Sequence, residues 1–173
     1  MKYLFSISMF SFLLLTAYNS CAQQDKSKLP SPPATVSQKI GEVMVTINYS
    51  QPSVKGRTIG KDLEPMTGKV WRTGANDATV FEVDKAVQVE GKSLPQGKYG
   101  LFTIANGNDW TIIFNNTWKQ WGAFKYKEAD DALRVNVKAG KDDSFSEKMT
   151  FTIDAGGKVS LLWGDIKVEF TVK

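Results

Sequence analysis

The feature that most constrains this chain is an alternation of apolar and polar residues with a period of two, which begins near Ala34 and continues to the C-terminus. In the clearest example, large apolar side chains recur at every second position: Val43, Val45, Ile47 and Tyr49. Successive side chains of a strand point to opposite faces, so this pattern predicts strands with one buried face. No segment after the first twenty residues has a helical period over eleven residues. The chain is therefore expected to be all-β.

Segments with this period recur about every dozen residues and are separated by turn residues. They are 36–40, 43–49, 79–83, 87–89, 98–104, 110–114, 133–137, 149–153, 159–163 and 166–172. Turn signals such as Asn106-Gly-Asn-Asp109 predict hairpins, and Asp84-Lys85 is expected to join segments 79–83 and 87–89 in the same way. About nine or ten short strands in hairpin order predict a single antiparallel β-sandwich over residues 34–173.

Composition excludes several kinds of chemistry. The 173 residues contain no histidine and one cysteine, which rules out a Ser-His-Asp triad, a Cys-His pair, a histidine-ligated metal and an internal disulfide. No cofactor and no metal site are expected. The net charge of +4 is too weak to indicate a nucleic-acid partner, and none is expected. The length suits one domain.

The N-terminus has the pattern of an export signal. Lys2 is followed by about 15 mostly apolar residues ending at Ala17, which predicts a signal peptide over residues 1–20 rather than a membrane span, since a span needs about 20. Ser20 before Cys21 resembles a lipobox, in which Cys21 is lipidated and anchors the protein to a membrane. The alternative is cleavage before Gln23, which releases a soluble secreted protein.

Residues 21–33 are polar and hold three of the six prolines, which predicts a tether between the anchor and the domain. Together with the signal, this tether predicts an exported protein of the periplasm or outer membrane, anchored through its N-terminal lipid.

The long irregular stretch from Ser50 to Asn76 interrupts the strand pattern, and connections of this length are often functional. It contains Arg57 and Arg72, two of the three arginines in the chain. One interpretation is that both arginines pin the stretch to the domain by bonding carbonyl or acidic groups. The other is a site for an anion or polar ligand, formed by Arg57, Trp71, Arg72 and Asn76, because guanidinium groups suit planar bidentate contacts.

A second irregular stretch, residues 115–126, holds four aromatic residues within nine positions: Trp118, Trp121, Phe124 and Tyr126. Rings presented from loops beside amides suit sugar stacking or peptide contacts. Alternatively, they close one end of the core and meet no ligand.

Asp77 follows the Trp71-Arg-Thr-Gly-Ala-Asn76 string directly. Asp77 with Glu82 or Asp109 could form a two-carboxylate hydrolase site, although nothing in their spacing requires it. A salt bridge with a neighbouring arginine is the more usual role for such a carboxylate.

Four motifs resemble the domain of unknown function 2911 family: Tyr49–Arg57, Val70–Asn76, Leu94–Ile104 and Trp121–Phe124. The resemblance runs from about residue 35 to the C-terminus. It implies a β-sandwich in a secreted or lipid-anchored protein of a Gram-negative cell envelope, and it implies no activity.

Three functional hypotheses remain. The first is a non-catalytic binding module for a small polar ligand, a glycan or a partner protein. The second is an accessory or scaffold protein that contacts another envelope component, and the third is a carboxylate-dependent hydrolase that uses Asp77. The residues expected to carry binding are Arg57, Trp71, Arg72, Asn76, Trp118 and Trp121.

Overall fold

The structure is a computed structural model that describes residues 29–173. The predicted signal peptide (1–20), Cys21 and most of the predicted tether (21–33) lie outside the described residues. Among the described residues, no helix has the length and apolar character needed to cross a membrane.

Residues 29–173 form ten strands and one short 3-10 turn, Glu128–Asp130. The strands are β1 (Pro33–Ile40), β2 (Val43–Ser50), β3 (Val70–Trp71), β4 (Thr79–Val83), β5 (Val87–Val89), β6 (Lys92–Leu94), β7 (Gly97–Asn106), β8 (Asp109–Asn115), β9 (Asp131–Ile153) and β10 (Lys158–Thr171). The all-β, antiparallel prediction is confirmed. The strands are less uniform than expected, because β9 has 23 residues and β10 has 14, and each contains two of the predicted segments.

The main sheet has the order β1-β2-β4-β7-β8-β9-β10, with β3 paired to β7. β9 has two different partners along its length. Residues 131–138 pair with β8, and residues 139–153 pair with β10. The sheet curls at this change of partner, so that the second half of β9 lies opposite β2. There the Phe151 backbone N–H donates to the Tyr49 hydroxyl at 3.2 Å.

The core lies between the two halves of this curled sheet. The buried ring of Phe114 on β8 packs against Phe81 on β4, Tyr99 on β7 and Phe170 on β10, with centroid separations of 4.9, 6.5 and 5.9 Å. Phe170 therefore joins the β9–β10 layer to the opposite layer. Because apolar and polar residues alternate along β4 and β8, one face of each strand is apolar and packs into this core.

The expected hairpin at Asp84-Lys85 is wrong. β4 pairs with β2 on one side and β7 on the other, so both of its edges are already occupied. β5 pairs instead with β6, through a turn in which Glu90 and Gly91 both have positive φ, 48° and 76°. A two-residue type I′ turn, whose twist matches that of the flanking strands, requires positive φ at both of its central residues.

Residues 51–69, called here the long loop, connect β2 to β3 and lie against the β9–β10 layer. The Val54 N–H donates to the Glu147 carbonyl at 2.8 Å, and the Met149 N–H donates to the Pro52 carbonyl at 3.0 Å. Farther along, Trp163 Nε1 donates to the Glu64 carbonyl at 2.9 Å. The long loop is thus held to the β9–β10 layer at its start and again at Glu64.

The turn between β9 and β10 gives a test of this packing. Gly157 has φ +88°, and a Cβ there would lie 1.9 Å from the Val172 carbonyl oxygen. Gly107 is the matched control, because its φ is +60° and a Cβ there meets nothing within 4 Å. We expect Gly107→Ala to lower the free energy of unfolding by about 1–2 kcal/mol, and Gly157→Ala by at least about 3 kcal/mol. Urea unfolding measures both, and equal losses would contradict the close approach.

Candidate functional site

The string Trp71–Asn76 forms a tightly bonded turn between β3 and β4. Trp71 is 2% exposed, and its Nε1 donates to the Gly74 carbonyl at 3.0 Å. Thr73 adopts the left-handed conformation at φ 51°, and its carbonyl accepts a hydrogen bond from Thr79 Oγ1 at 2.7 Å. These bonds fix Trp71 in the core.

Arg72 lines a cleft of about 200 Å³ between this turn, the long loop and β10. The principal side chains around it belong to Ser31, Arg57, Glu64, Trp71, Arg72 and Trp163. Trp71 and Trp163 form apolar walls, while two guanidinium groups and one carboxylate supply the charge. The cleft therefore combines apolar walls with a net positive charge.

The Arg72 guanidinium has unused donors. Its Nε atom is buried and has no hydrogen-bond partner, and no described residue accepts a hydrogen bond or ion pair from this side chain. Burial lowers the pKa of Arg72, and the Glu64 carboxylate partly opposes that shift. Because a guanidinium is a very weak acid, the group stays charged at neutral pH in spite of this lowering. A partly desolvated cation with a buried N–H that meets no acceptor among the described residues is costly in a folded protein.

Arg57 behaves differently. Its Nη2 donates to the Ser53 carbonyl at 2.8 Å and its Nε to the Val54 carbonyl at 3.2 Å, so it braces a turn of the long loop. These are the bonds that the loop-pinning interpretation predicts for an arginine, whereas Arg72 has none of them among the described residues. Arg57 still borders the same cleft as Arg72.

A second cleft, of about 370 Å³, lies beside the first and is lined by Asn76, Asp77 and Trp121. The Asn76 carbonyl accepts a hydrogen bond from the Gly122 N–H at 2.9 Å, and Asp77 pairs with Trp121 as an isolated antiparallel bridge. The two irregular stretches therefore meet in space. Ser31 borders both clefts, and its carbonyl accepts a hydrogen bond from Asn76 Nδ2 at 3.1 Å.

The predicted binding residues consequently fall into three places. Arg57, Trp71 and Arg72 share the first cleft, and Asn76 and Trp121 share the second. The remaining residue, Trp118, is half-buried away from both clefts, with Lys98 Nζ lying 5.7 Å from its ring centroid.

The two carboxylates suggested as partners of Asp77 in a hydrolase site lie far from each other. Glu82 pairs with Lys98 of β7, and Asp109 pairs with Asn106 about 26 Å farther along that strand, so at most one of them can lie close to Asp77. Two-carboxylate glycosidases need separations below about 10 Å. Asp77 is exposed, and no second carboxylate among the described residues lines its cleft.

Residues 116–127, called here the aromatic loop, follow β8 and are held by two buried amide side chains. Gln120 Nε2 donates to the Thr117 carbonyl at 2.6 Å, and its Oε1 accepts from the Lys125 N–H at 3.0 Å. Asn115 Nδ2 donates to the Lys127 carbonyl at 2.9 Å. The loop thus has a defined shape that does not depend on a ligand.

Sequence reasoning missed several residues that build these sites. Glu64 gives no signal because it lies in the irregular stretch 50–76 without a distinguishing neighbour. Trp163 gives none because its place in the predicted strand 159–163 is that of an ordinary core residue. Ser31 lies in the predicted tether, yet it borders both clefts. The amides Asn115 and Gln120 give no periodic signal, although both are nearly fully buried.

Within residues 29–173, no group of three or more His, Cys, Asp or Glu side chains is placed to hold a metal ion. The described residues define an all-β fold whose irregular segments carry its exposed polar and aromatic chemistry.

The chain belongs to the family described as protein of unknown function DUF2911, whose family model matches residues 31–172. The family resemblance of the four sequence motifs is thereby confirmed. Neither the curated proteins nor the solved structures include a match to this chain.

The end of the aromatic loop provides a pH-dependent test. The Tyr126 hydroxyl donates to Asp131 Oδ2 at 3.0 Å, and Arg134 Nη2 donates to that hydroxyl at 2.6 Å. Burial, followed by the Asp131 carboxylate, raises the pKa of Tyr126 to about 12, above the usual value of about 10 in an unfolded chain. The stability that this group supplies is therefore complete below about pH 10 and is lost as the pH rises towards 12.

We expect the difference in phenolate absorbance between wild type and Tyr126→Phe to titrate near pH 12. Asp131→Asn should lower that midpoint without bringing it to 10, because burial remains. A Tyr126 midpoint near 10 in the wild type would contradict the described environment.

Proposed function

We propose that this protein is a non-catalytic binding module of the cell envelope, and that its ligand is a small polar anion held by Arg72. The observation that carries the proposal is the half-buried Arg72 guanidinium, whose buried Nε has no hydrogen-bond partner within residues 29–173. Folded proteins tolerate such groups mainly where function requires them, since a paired or apolar side chain would be more stable there. A bound anion would supply the missing acceptors.

The shape and charge of the cleft narrow the class of ligand. Its volume of about 200 Å³ is below the roughly 300–1,000 Å³ typical of sites for drug-sized ligands, which favours a small ion or organic acid over an oligosaccharide. The planar guanidinium suits a carboxylate or phosphate group through two parallel hydrogen bonds. Glu64 would favour a ligand that also carries a hydroxyl or amine donor. A hydroxy acid, an amino acid or a small phosphate ester fits all three constraints.

We propose that the module is exported and lipid-anchored through Cys21. The support comes from the charged and apolar leader, from the single cysteine at the lipobox and from the polar segment that follows it. Cys21→Ala should move the protein from the membrane fraction to the soluble fraction of the host. A wild-type protein already found in the soluble fraction would favour cleavage before Gln23 instead.

The ligand proposal is tested with a matched pair of arginine variants. We expect Arg57→Met to lower the free energy of unfolding by about 1–2 kcal/mol, because its hydrogen bonds to the Ser53 and Val54 carbonyls are lost. Arg72→Met should leave stability unchanged within about 0.5 kcal/mol or raise it, because a partly desolvated cation is removed. Urea unfolding in ligand-free buffer measures both.

Binding is then screened by thermal shift with inorganic phosphate, glycerol phosphate, malate, citrate and serine. A ligand at 100 times its dissociation constant should add about 2.7 kcal/mol of stability, a shift of several degrees, to the wild type and nothing to Arg72→Met. Glu64→Gln should tighten the binding of inorganic phosphate, since it removes the negative charge from the cleft. If Arg72→Met is as destabilising as Arg57→Met and no anion shifts the wild type, Arg72 is a structural residue.

A further inference from the structure

The aromatic loop exposes two large rings at its tip. Trp121 is 60% exposed and Phe124 is 87% exposed, and the described residues contain only two other large hydrophobic side chains of comparable exposure, Met44 and Phe145. Exposed apolar side chains are common singly, but two rings three positions apart form a small apolar projection that indicates an interaction site.

The exposure of these rings is built into the loop. Gly122, with φ +60°, lies in the turn that separates them, and its N–H is bonded to the Asn76 carbonyl. The buried Gln120 side chain ties the two sides of the loop together. A loop fixed in this way presents Trp121 and Phe124 without the ordering cost that a flexible segment would incur on binding.

The charged side chains of the aromatic loop itself are all positive. Lys119, Lys125 and Lys127 are exposed on it, and residues 116–127 contain no carboxylate. The acidic residues next to the loop are Asp77, whose backbone pairs with Trp121, and the segment that follows the loop, where Glu128 and Asp131 share Arg134 and Asp130 accepts a hydrogen bond from Thr117. The positive charge is therefore carried by the loop that presents the rings.

The N-terminal end of the described chain lies beside the same loop. Leu29 and Pro30 line the second cleft together with Trp121. Cys21 precedes Leu29 by eight residues, which span at most about 29 Å even when fully extended. A lipid attached at Cys21 would therefore hold this side of the domain within about 30 Å of a bilayer.

We propose that the aromatic loop docks on the surface of a lipid bilayer, with Trp121 and Phe124 at the headgroup level and its three lysines against anionic headgroups. Aromatic side chains, tryptophan above all, prefer this interface, and basic residues nearby add attraction to anionic lipids. A lipid at Cys21 would already hold the protein at the membrane, so the contact of the loop would orient the domain on the bilayer surface. The inference depends on an envelope location but not on the ligand of the Arg72 cleft.

Two other occupants fit the loop less well. A sugar platform would use the ring of Trp118 beside Trp121, but Lys98 Nζ already lies over the Trp118 ring at 5.7 Å. A stable protein interface buries about 800 Å² on each partner, which is well beyond what two isolated rings provide. A bilayer needs no complementary shape, so a small apolar tip surrounded by lysines is sufficient.

The test uses residues 23–173, which retain every described strand and the whole core but carry no lipid. Vesicles of phosphatidylethanolamine and phosphatidylglycerol are compared with vesicles of phosphatidylcholine, by co-sedimentation and by the shift of tryptophan emission. We expect binding to the anionic vesicles at millimolar lipid. The double variant Trp121→Ser/Phe124→Ser should weaken the partition constant at least tenfold, while Phe145→Ser, which removes an exposed ring on β9, should leave it unchanged.

Lys119→Gln/Lys125→Gln/Lys127→Gln should remove most of the salt dependence of vesicle binding. Melting temperatures confirm that each variant is folded. Arg72→Met should bind vesicles as the wild type does, and this result would separate vesicle binding from anion binding in the Arg72 cleft. The proposal would be overturned if the wild-type domain bound neither the anionic nor the phosphatidylcholine vesicles. Equal binding by the double variant would also overturn it, as would binding of a glycan or a protein at these rings without vesicle binding.

Discussion

The change of hydrogen-bond partner along β9 is the constraint on which the remaining structure depends. While β9 runs beside β8, it completes one layer of the sheet, and when it leaves β8 to pair with β10, it forms the opposite layer. The ring of Phe170 then reaches Phe114 and Phe81 across the core. A straight β9 would leave those rings without partners, and the large burial of aromatic surface is what stabilises the bend.

The same bend creates the candidate site. The second half of β9 offers backbone groups to the long loop at Glu147 and Met149, and β10 offers Trp163 to the Glu64 carbonyl. The long loop is thereby drawn over the turn that carries Arg72, and the cleft is the space between them. The strands thus act as a scaffold, and the exposed polar and aromatic chemistry lies in the segments that interrupt the strand pattern.

The sequence predicted the strands of five to eight residues well, because each has a buried face that selects apolar residues at alternate positions, but it divided each of the two longest strands, β9 and β10, into two segments. β2, β4 and β8 appear within about two residues of their predicted bounds. β3 and β6 were missed because neither alternates: β3 is two adjacent apolar residues, and β6 begins with two polar ones. The partner of β5 was predicted wrongly because turn residues between two segments do not reveal that both edges of β4 are taken by distant strands.

For the site, the sequence singled out Arg57, Arg72 and both irregular stretches. The arginines stand out because lysine is the usual basic residue of this chain, and the second stretch stands out because aromatic residues recur among polar ones. The sequence did not show that the two arginines have different roles. Only the tertiary structure separated Arg57, which bonds the carbonyls of its own loop, from Arg72, whose buried Nε has no partner in the part of the chain that the structure describes. It also brought Asn76 to Gly122 and Ser31 to both clefts.

By itself, then, the sequence determined the all-β class, most strand positions, the family and the segments that contain exposed chemistry. The family follows from the sequence motifs, and the other properties follow from local periodicity and residue type. The tertiary structure decided which strands pair, where the sheet bends and which charged groups of residues 29–173 lack a partner there. Those properties depend on contacts between residues up to about a hundred positions apart, such as Tyr49 with Phe151, and the packing of the whole core selects them.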